Sequence, residues 1–389
     1  MMALRPGLWV TALAAFTAAT VFSVASCGKK DDDSSTITLK VRSANSAAAL
    51  NLARSPASSG LDMASTTTAA GNKSFAPDVF KLWINAIVLQ NDDGASNQFY
   101  SCDSSEADCE VDFASSDSVA AFEARLNSIE ISAGTYNKVW ISCNPNSAGY
   151  VKYKGHATVS GTEKYTADPD SNSGSPLTTD SARNGEIKVA NVGCGLTMHL
   201  PQALTIGDGD AVVMTMFSNL HGIAYYGANV PSDMGGCKIS AGASTGPGFC
   251  VGYPSVFPYF GETTPTVEMY KVANSQTDAS SLSEGQANVL LKVIKTPDGK
   301  PFWAAMTNFY TETTPEYGQG DDGVSGYANS VTSFSINADD SLTIKSMDYG
   351  FSAFQRTAHS GDVVGEGISA GAGTGSGVTY KYKAFTYAP

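Results

Sequence analysis

The stretch from residue 129 to 141 carries the clearest strand signal in the chain, and it constrains the fold more than any other feature. Apolar and polar side chains alternate on both sides of Ala133 and Gly134. A period of two places alternate side chains on opposite faces of a strand. The pattern therefore predicts two strands joined by a tight turn, that is, a β-hairpin.

Other segments of the sequence predict further strands and little helix. Residues 82–89 are apolar on both faces, which predicts a strand buried on both sides, and residues 36–41 alternate as a first strand. Residues 118–126 have helical spacing and predict one short helix. Further strands are expected at residues 99–100, 196–200, 211–217, 267–270, 288–294, 301–310, 329–336, 341–347 and 378–387, with turns at 296–299 and 337–340.

These elements predict a mainly β protein with at most one or two short helices. The expected architecture is an antiparallel β-sandwich followed by a second β block. Along the chain we expect a leader at 1–26, a tether at 27–35, the sandwich at 36–230 with a polar insertion near 166–181, a Gly/Pro-rich loop at 231–263 and the second block at 264–389. Residues 365–377 are expected to form a glycine-rich loop.

The amino-acid composition restricts the classes of partner that the chain can bind. The chain has 389 residues, 42% of them apolar, which is enough to bury a core. Without residues 1–26 it holds 23 basic and 37 acidic side chains, a net charge of −14. Such an acidic chain has no electrostatic footprint for nucleic acid, so nucleic-acid binding is not expected.

The N-terminal segment has the composition of an export signal. Arg5 is the one charged side chain ahead of an apolar stretch at residues 7–23, and a polar segment follows at Gly28. This stretch is shorter than the about 20 residues that a membrane-spanning helix needs. A signal that is cleaved just before Cys27 and leaves this cysteine to be modified is favoured. An ordinary secretory signal whose cleavage site happens to adjoin Cys27, and an uncleaved anchor helix, are the alternatives.

Val24-Ala25-Ser26-Cys27 closes this apolar stretch and resembles the lipobox of bacterial lipoproteins. The resemblance implies cleavage before Cys27 and a thioether bond between its thiol and a diacylglycerol, with palmitate among the acyl chains of the anchor. Several acyl chains, each contributing about 0.8 kcal/mol per buried CH₂, would hold the protein on a membrane. In that family Asp after the cysteine favours the inner membrane, so Gly28 implies the outer membrane.

Residues 75–225 resemble, more diffusely, an uncharacterised lipoprotein domain with a transthyretin-like β-sandwich. The resemblance rests on the Ile-x-Ala-Gly-x-Tyr-x-x-Val pattern at 131–139, the earlier strand at 82–89, and the later strands at 196–200 and 211–217. It implies a fold and no particular activity. The cysteines and the polar insertion near 166–181 depart from that domain.

Six cysteines remain if Cys27 carries lipid, and an even number outside the cytoplasm indicates disulfides. No pair has CxxC spacing and the four histidines are scattered, so a zinc site is not expected. Six thiols allow 15 pairings, and buried free thiols are the alternative. Proximity favours the pairs Cys102–Cys109, Cys237–Cys250 and Cys143–Cys194.

Three weaker motifs define the functional alternatives. The Gly-x-Ser-x-Gly match at 242–246 would make Ser244 a hydrolase nucleophile, with His199, His221 or His359 as base, but Pro247 disfavours the helix that must follow. The oxygen-bearing side chains Asp168, Asp170 and Asn172 alternate as in a calcium loop, although the expected glycine is one place late. The glycines at 365 and 367 match a dinucleotide fingerprint only formally.

We therefore expect a lipid-anchored bacterial envelope protein with a binding, adhesion or structural role, and without catalysis. Its partners would be the membrane, through the lipid, and a protein or glycan ligand; no cofactor is expected. A hydrolase using Ser244 and a calcium-stabilised surface module are the alternatives. Some aromatic residues could form a binding surface, although such residues more often pack in a β core or a loop: Tyr225, Tyr226, Tyr253, Phe257, Tyr259 and Phe260.

Overall fold

The computed structural model describes most of the chain between residues 35 and 386. The described residues are 35–43, 73–102, 109–127, 129–142, 150–190, 196–220, 222–232, 236–251, 256–261, 265–275, 283, 289–308, 327–336, 342–346, 362–364, 366–370 and 377–386. All of them belong to one compact unit, Asp33–Pro389.

The protein is mainly β, as the sequence predicts. The first strands in chain order are β1 (Ser35–Ser43), β2 (Lys73–Phe75), β3 (Val79–Trp83), β4 (Ala86–Gln90), β5 (Ser96–Ser101), β6 (Glu110–Asp112), β7 (Ile129–Ile131), β8 (Gly134–Ser142), β9 (Tyr150–Lys154), β10 (His156–Val159), β11 (Thr162–Thr166), β12 (Leu177–Thr178) and β13 (Ile187–Ala190). The next are β14 (Leu196–Ile206), β15 (Ala211–Ser218), β16 (Ala224–Pro231), β17 (Cys237–Ile239), β18 (Thr245–Val251) and β19 (Val256–Phe260).

The last eight strands form a single sheet. They are β20 (Thr266–Ser275), β21 (Val289–Lys295), β22 (Pro301–Asn308), β23 (Tyr327–Ile336), β24 (Leu342–Ser346), β25 (Asp362–Val364), β26 (Glu366–Ala370) and β27 (Gly377–Thr386). Their order across the sheet is β25-β24-β23-β22-β21-β20-β27-β26. The expected turn at 296–299 joins β21 to β22, whereas residues 337–340 lie outside the described part.

Five smaller sheets build the preceding part of the chain. Their strand orders are β19-β15-β1-β7, β10-β11-β12, β13-β9-β3-β6, β14-β8-β4-β5 and β17-β18-β16-β2. Neighbouring strands pair antiparallel except for β1 and β15, which run parallel over their whole length. The transthyretin-like sandwich stays a prediction.

One α-helix, α1 (Ser116–Leu126), lies in the described part, together with a 3-10 turn at Ser181–Arg183. Ser115 caps α1, because its hydroxyl accepts the backbone N–H of Ser118. Phe122 and Leu126 are buried four residues apart, on one helix face. The helix begins two residues before the predicted range.

Several predicted elements differ from those observed. Residues 82–89 form parts of two strands, β3 and β4, in different sheets, because the chain leaves one sheet at Ile84 and enters the next at Ala86. The strands at 129–141 exist but do not form a hairpin: β7 pairs with β1, and β8 pairs with β4 and β14.

The two glycine-rich regions also contain strands where loops were expected. Residues 231–263 contribute β17, β18 and β19, and residues 366–370 form β26, which pairs antiparallel with β27. Glycine is compatible with a strand when a neighbouring backbone approaches closely, so its abundance alone does not indicate a loop.

One hydrophobic core joins the sheets. It includes Phe80, Val139 and Met214 from the earlier sheets, and Ile294 and Trp303 from the eight-stranded sheet. A groove lies where β14, β19 and the β21–β22 turn meet.

Candidate binding groove

The groove is formed by an irregularity in β14. His199 pairs with Lys138 and Leu204 pairs with Tyr136, so residues 200–203 stand opposite the single residue Asn137. Such a bulge interrupts the ladder and turns side chains away from the regular sheet face. Pro201, which has no backbone N–H, lies within this bulge.

The bulge forms one wall of a cavity of about 360 Å³. Residues 200–205 line the first side, Tyr259 and Phe260 of β19 line the second, and Thr296, Asp298 and Lys300 of the β21–β22 turn line the third. Both β14 and β19 are edge strands of their sheets. The volume lies at the lower end of the range of about 300–1,000 Å³ that small-molecule sites occupy.

The turn supplies two opposite charges. The Thr296 hydroxyl donates to the Asp298 carboxylate. This bond, together with a hydrogen bond from the Asp298 backbone N–H and the charge of Lys300, holds the pKa of Asp298 below its usual value. The Lys300 ammonium donates to the Pro201 carbonyl at 3.3 Å. Asp298 and Lys300 lie in the same turn, and no ion pair within 4.0 Å joins them, so neither charge is fully satisfied by the other.

Tyr259 forms an apolar surface beside these charges. Its ring is half-buried and packs against the buried Phe302, with 5.7 Å between the ring centroids. Burial, and secondarily the nearby Asp298 carboxylate, raise the pKa of the Tyr259 phenol, so it stays neutral and keeps its O–H donor.

Only some of the aromatic residues proposed for a binding surface lie in the groove. Tyr259 and Phe260 line the groove, whereas Tyr225 and Tyr226 are buried in the core. Tyr253 and the side chain of Phe257 lie outside the described part. No sequence pattern predicted the polar walls, although Pro201, directly after the predicted strand at 196–200, is a known signal for an edge or a bulge.

Ser244 lies in the turn between β17 and β18 and is exposed. Its carbonyl accepts the backbone N–H of Ser232 at 2.9 Å, and strand β18 begins at the next residue. A nucleophile elbow requires a strand before the serine and a helix after it. The local structure therefore does not provide the elbow, and His221 and His359 lie outside the described residues.

The proposed calcium side chains lie in one loop but mostly serve that loop. The Asp168 carboxylate accepts the backbone N–H of Asp170 at 3.0 Å. The Asn172 side chain is buried, and its amide nitrogen donates to the carbonyls of Ser175 and Leu177. These bonds stabilise the loop without a metal. In the described part of the chain, no three His, Cys, Asp or Glu residues are placed to hold a metal ion.

Two of the three proposed disulfides are present. The Cys102–Cys109 and Cys237–Cys250 bonds have Cα separations of 5.7 and 4.0 Å. Cys143 and Cys194 lie outside the described residues, as does Cys27, so the third pair and the lipidation site stay predictions.

A second polar surface lies on the sheet β13-β9-β3-β6, where three lysines align across neighbouring strands. Lys81 pairs in register with Lys152, and Lys152 with Lys188. Lys81 bonds to Glu186 at 2.6 Å, and Lys152 bonds to Glu110. Because carboxylates pair with Lys81 and Lys152, and the Lys188 ammonium lies over the Tyr150 ring, the row is a weaker ligand-site candidate than the groove.

Comparison with protein-family models, curated proteins and solved structures finds no match to this chain. No helix among the residues that the structure describes has both the length and the apolar character to cross a membrane.

Proposed function

We propose that the protein is a lipid-anchored binding protein of the bacterial envelope without catalytic activity. The observation that carries the binding role is the groove between β14, β19 and the β21–β22 turn. It combines a fixed aromatic ring with two charges that do not neutralise each other in an ion pair.

The anchor part of the proposal rests on the sequence at Cys27. The disulfides Cys102–Cys109 and Cys237–Cys250 support an oxidising, extracytoplasmic compartment, because cytosolic thiols are normally kept reduced. Gly28 favours the outer membrane. A net charge of −14 without the leader argues against attachment to anionic lipid by charge alone, so a covalent anchor is the better explanation.

Lipidation is tested by mass spectrometry of the mature N-terminus. We expect an acylated Cys27 as the first residue in the wild type, and an unmodified, uncleaved precursor from Cys27→Ser, since a serine hydroxyl cannot form the thioether. Cys27 is the position to change because no other cysteine follows an apolar stretch as long as residues 7–23. An unmodified mature terminus at another residue would refute the anchor.

Binding at the groove is tested independently of ligand class. A trifluoromethyl label attached through Ala203→Cys reports on the exposed bulge by fluorine NMR. The probes are disaccharides, tripeptides and free amino acids. We expect a saturable shift with at least one probe, and its loss in Lys300→Ala. A label that responds to none of the probes would contradict the binding role of the groove.

A further inference from the structure

The bulge limits which ligands the groove accepts. An extended peptide can add to an exposed sheet edge when a row of backbone donors and acceptors is free. In β14, residues 200–203 leave the ladder, Pro201 offers no N–H, and the Pro201 carbonyl already accepts from Lys300. Bulges, prolines and lysines are the devices that protect edge strands from strand addition. A ligand at this position must therefore be recognised through side chains.

The charges restrict the ligand further. Asp298 is an ionised acceptor and Lys300 an ammonium donor, and both border the same cavity. A ligand of one charge sign would be attracted to one of them and repelled by the other. A hydroxyl group donates one hydrogen bond and accepts others, so neighbouring hydroxyls satisfy a carboxylate and an ammonium together. Gln202 and Thr205, both exposed on the β14 wall, add side chains that can each donate and accept hydrogen bonds.

The aromatic ring completes the pattern. Tyr259 presents an apolar surface held by Phe302, next to the polar turn. A pyranose ring has apolar C–H faces and hydroxyls at its rim, and so it matches an aromatic surface bordered by donors and acceptors. The cavity of about 360 Å³ has room for a small saccharide.

We infer that the groove binds a neutral saccharide, with a sugar ring against Tyr259 and neighbouring hydroxyls bonded to Asp298 and Lys300. This inference rests on the proposed binding function and names its ligand class. Gln202 and Thr205 then contact the sugar from the bulge side.

The test measures affinity by titration calorimetry on the full mature protein in detergent. The neutral probes are cellobiose, maltose, lactose and diacetylchitobiose; the other arms are digalacturonate, glucosamine and trialanine. We expect at least one neutral disaccharide to bind. Tyr259→Ala should weaken it about tenfold or more, by loss of the stacking surface, and Tyr259→Phe should weaken it less than about threefold.

Two further variants separate the roles. Asp298→Asn should weaken neutral binding about tenfold, because a charged acceptor is lost. Tyr165→Ala is the matched control, since Tyr165 is a partly exposed strand aromatic that pairs with His156 away from the groove, and it should leave the affinity unchanged. A melting curve for each variant checks that it folds, and the exposed Gln202→Ala replaces any variant that does not.

The outcomes distinguish the two proposals. If only digalacturonate, glucosamine or trialanine binds, with loss in Tyr259→Ala, the saccharide inference is wrong as stated and the binding function stands. If a neutral disaccharide binds equally well to wild type and Tyr259→Ala, the site lies elsewhere and the inference fails. If no probe binds and the label on residue 203 is silent, both proposals fail.

Discussion

Lys292 shows how one residue links burial to pH. It lies in β21, is 1% exposed, and its ammonium donates to the Asn219 carbonyl at 3.1 Å. Desolvation lowers the pKa of Lys292 from 10.5 to about 7, because burial penalises the charged form. Between these pH values the unfolded chain binds more protons than the folded one. The free energy of unfolding therefore rises with pH from about 7 to 10.5.

This predicts that Lys292→Met stabilises the protein below pH 7 by roughly 1–4 kcal/mol, the range for replacing buried charge with apolar groups of similar volume. The gain should shrink as pH rises toward 10, where the wild-type amine is neutral in the folded state. Urea unfolding at pH 6 and 9 measures both values. Lys295→Met is the control: it loses a half-exposed ion pair with Glu268, and its effect should stay below about 1 kcal/mol. A gain from Lys292→Met that is equal at both pH values would contradict the prediction.

Gly248 illustrates a different constraint, the close approach of two backbones. A Cβ at this position would lie 2.2 Å from the Lys238 carbonyl oxygen of β17, and the strands would have to separate. Gly246, two residues earlier in β18, has no atom within 4 Å of such a Cβ. The two glycines therefore differ in packing within a single strand.

We predict that Gly248→Ala destabilises the protein by about 1–3 kcal/mol, the cost of overpacking a fitted position. Gly246→Ala should change the free energy of unfolding by less than about 0.5 kcal/mol, as other surface substitutions do. Thermal or urea unfolding of both variants, with the disulfides intact, measures the difference. Equal effects would show that glycine acts here through backbone entropy and not through the approach of β17.

At the scale of elements, local alternation predicts strands and their faces but not their partners. The apolar residues of 82–89 lie on both sides of Asn85, and the chain changes sheet at this residue. The Asn85 N–H donates to the Ser142 carbonyl, and the Asn85 carbonyl accepts from Cys102. The Ile84 N–H donates to the Cys109 carbonyl, so the Cys102–Cys109 disulfide stabilises the segment in which the chain passes from one sheet to the next. These partners are distant in sequence, and no local pattern indicates them.

The pair β7 and β8 shows the same limit. Proximity favoured a hairpin at 129–141, but β7 finds a partner in β1 and β8 lies between β4 and β14. By contrast, α1 and the turn at 296–299 depend on neighbouring residues, and both were predicted correctly.

In the candidate site, too, some features could be predicted from local sequence and others depend on distant strand pairing. Tyr259 and Phe260 were predicted as possible surface aromatics from composition, and they line the groove. Asp298 was expected only as a turn residue. Its role depends on the β14 bulge, and the size of that bulge is visible only in the pairing of β14 with β8.

At the scale of the whole molecule, the core continues across the boundary that the sequence suggested near residue 264. Leu200, Met216 and Leu220 belong to the same buried cluster as Phe302 and Trp303 of the eight-stranded sheet. Strand β14 also contacts β22 and β23 directly. Lys292 reaches across in the same way to Asn219, which follows β15. Each part therefore depends on the other to bury apolar surface.

This continuity predicts that the two β regions unfold together. Calorimetry of the mature protein in detergent, with disulfides intact, should show a single transition whose calorimetric and van't Hoff enthalpies agree. Trp303→Ala removes a large, fully buried side chain from the shared core and should lower the free energy of unfolding by about 3–5 kcal/mol. It should shift the whole transition without splitting it, because removing shared packing weakens both regions together. Two resolved transitions in the wild type would instead mean that the eight-stranded sheet folds independently, and that its contacts with β14 contribute little to stability.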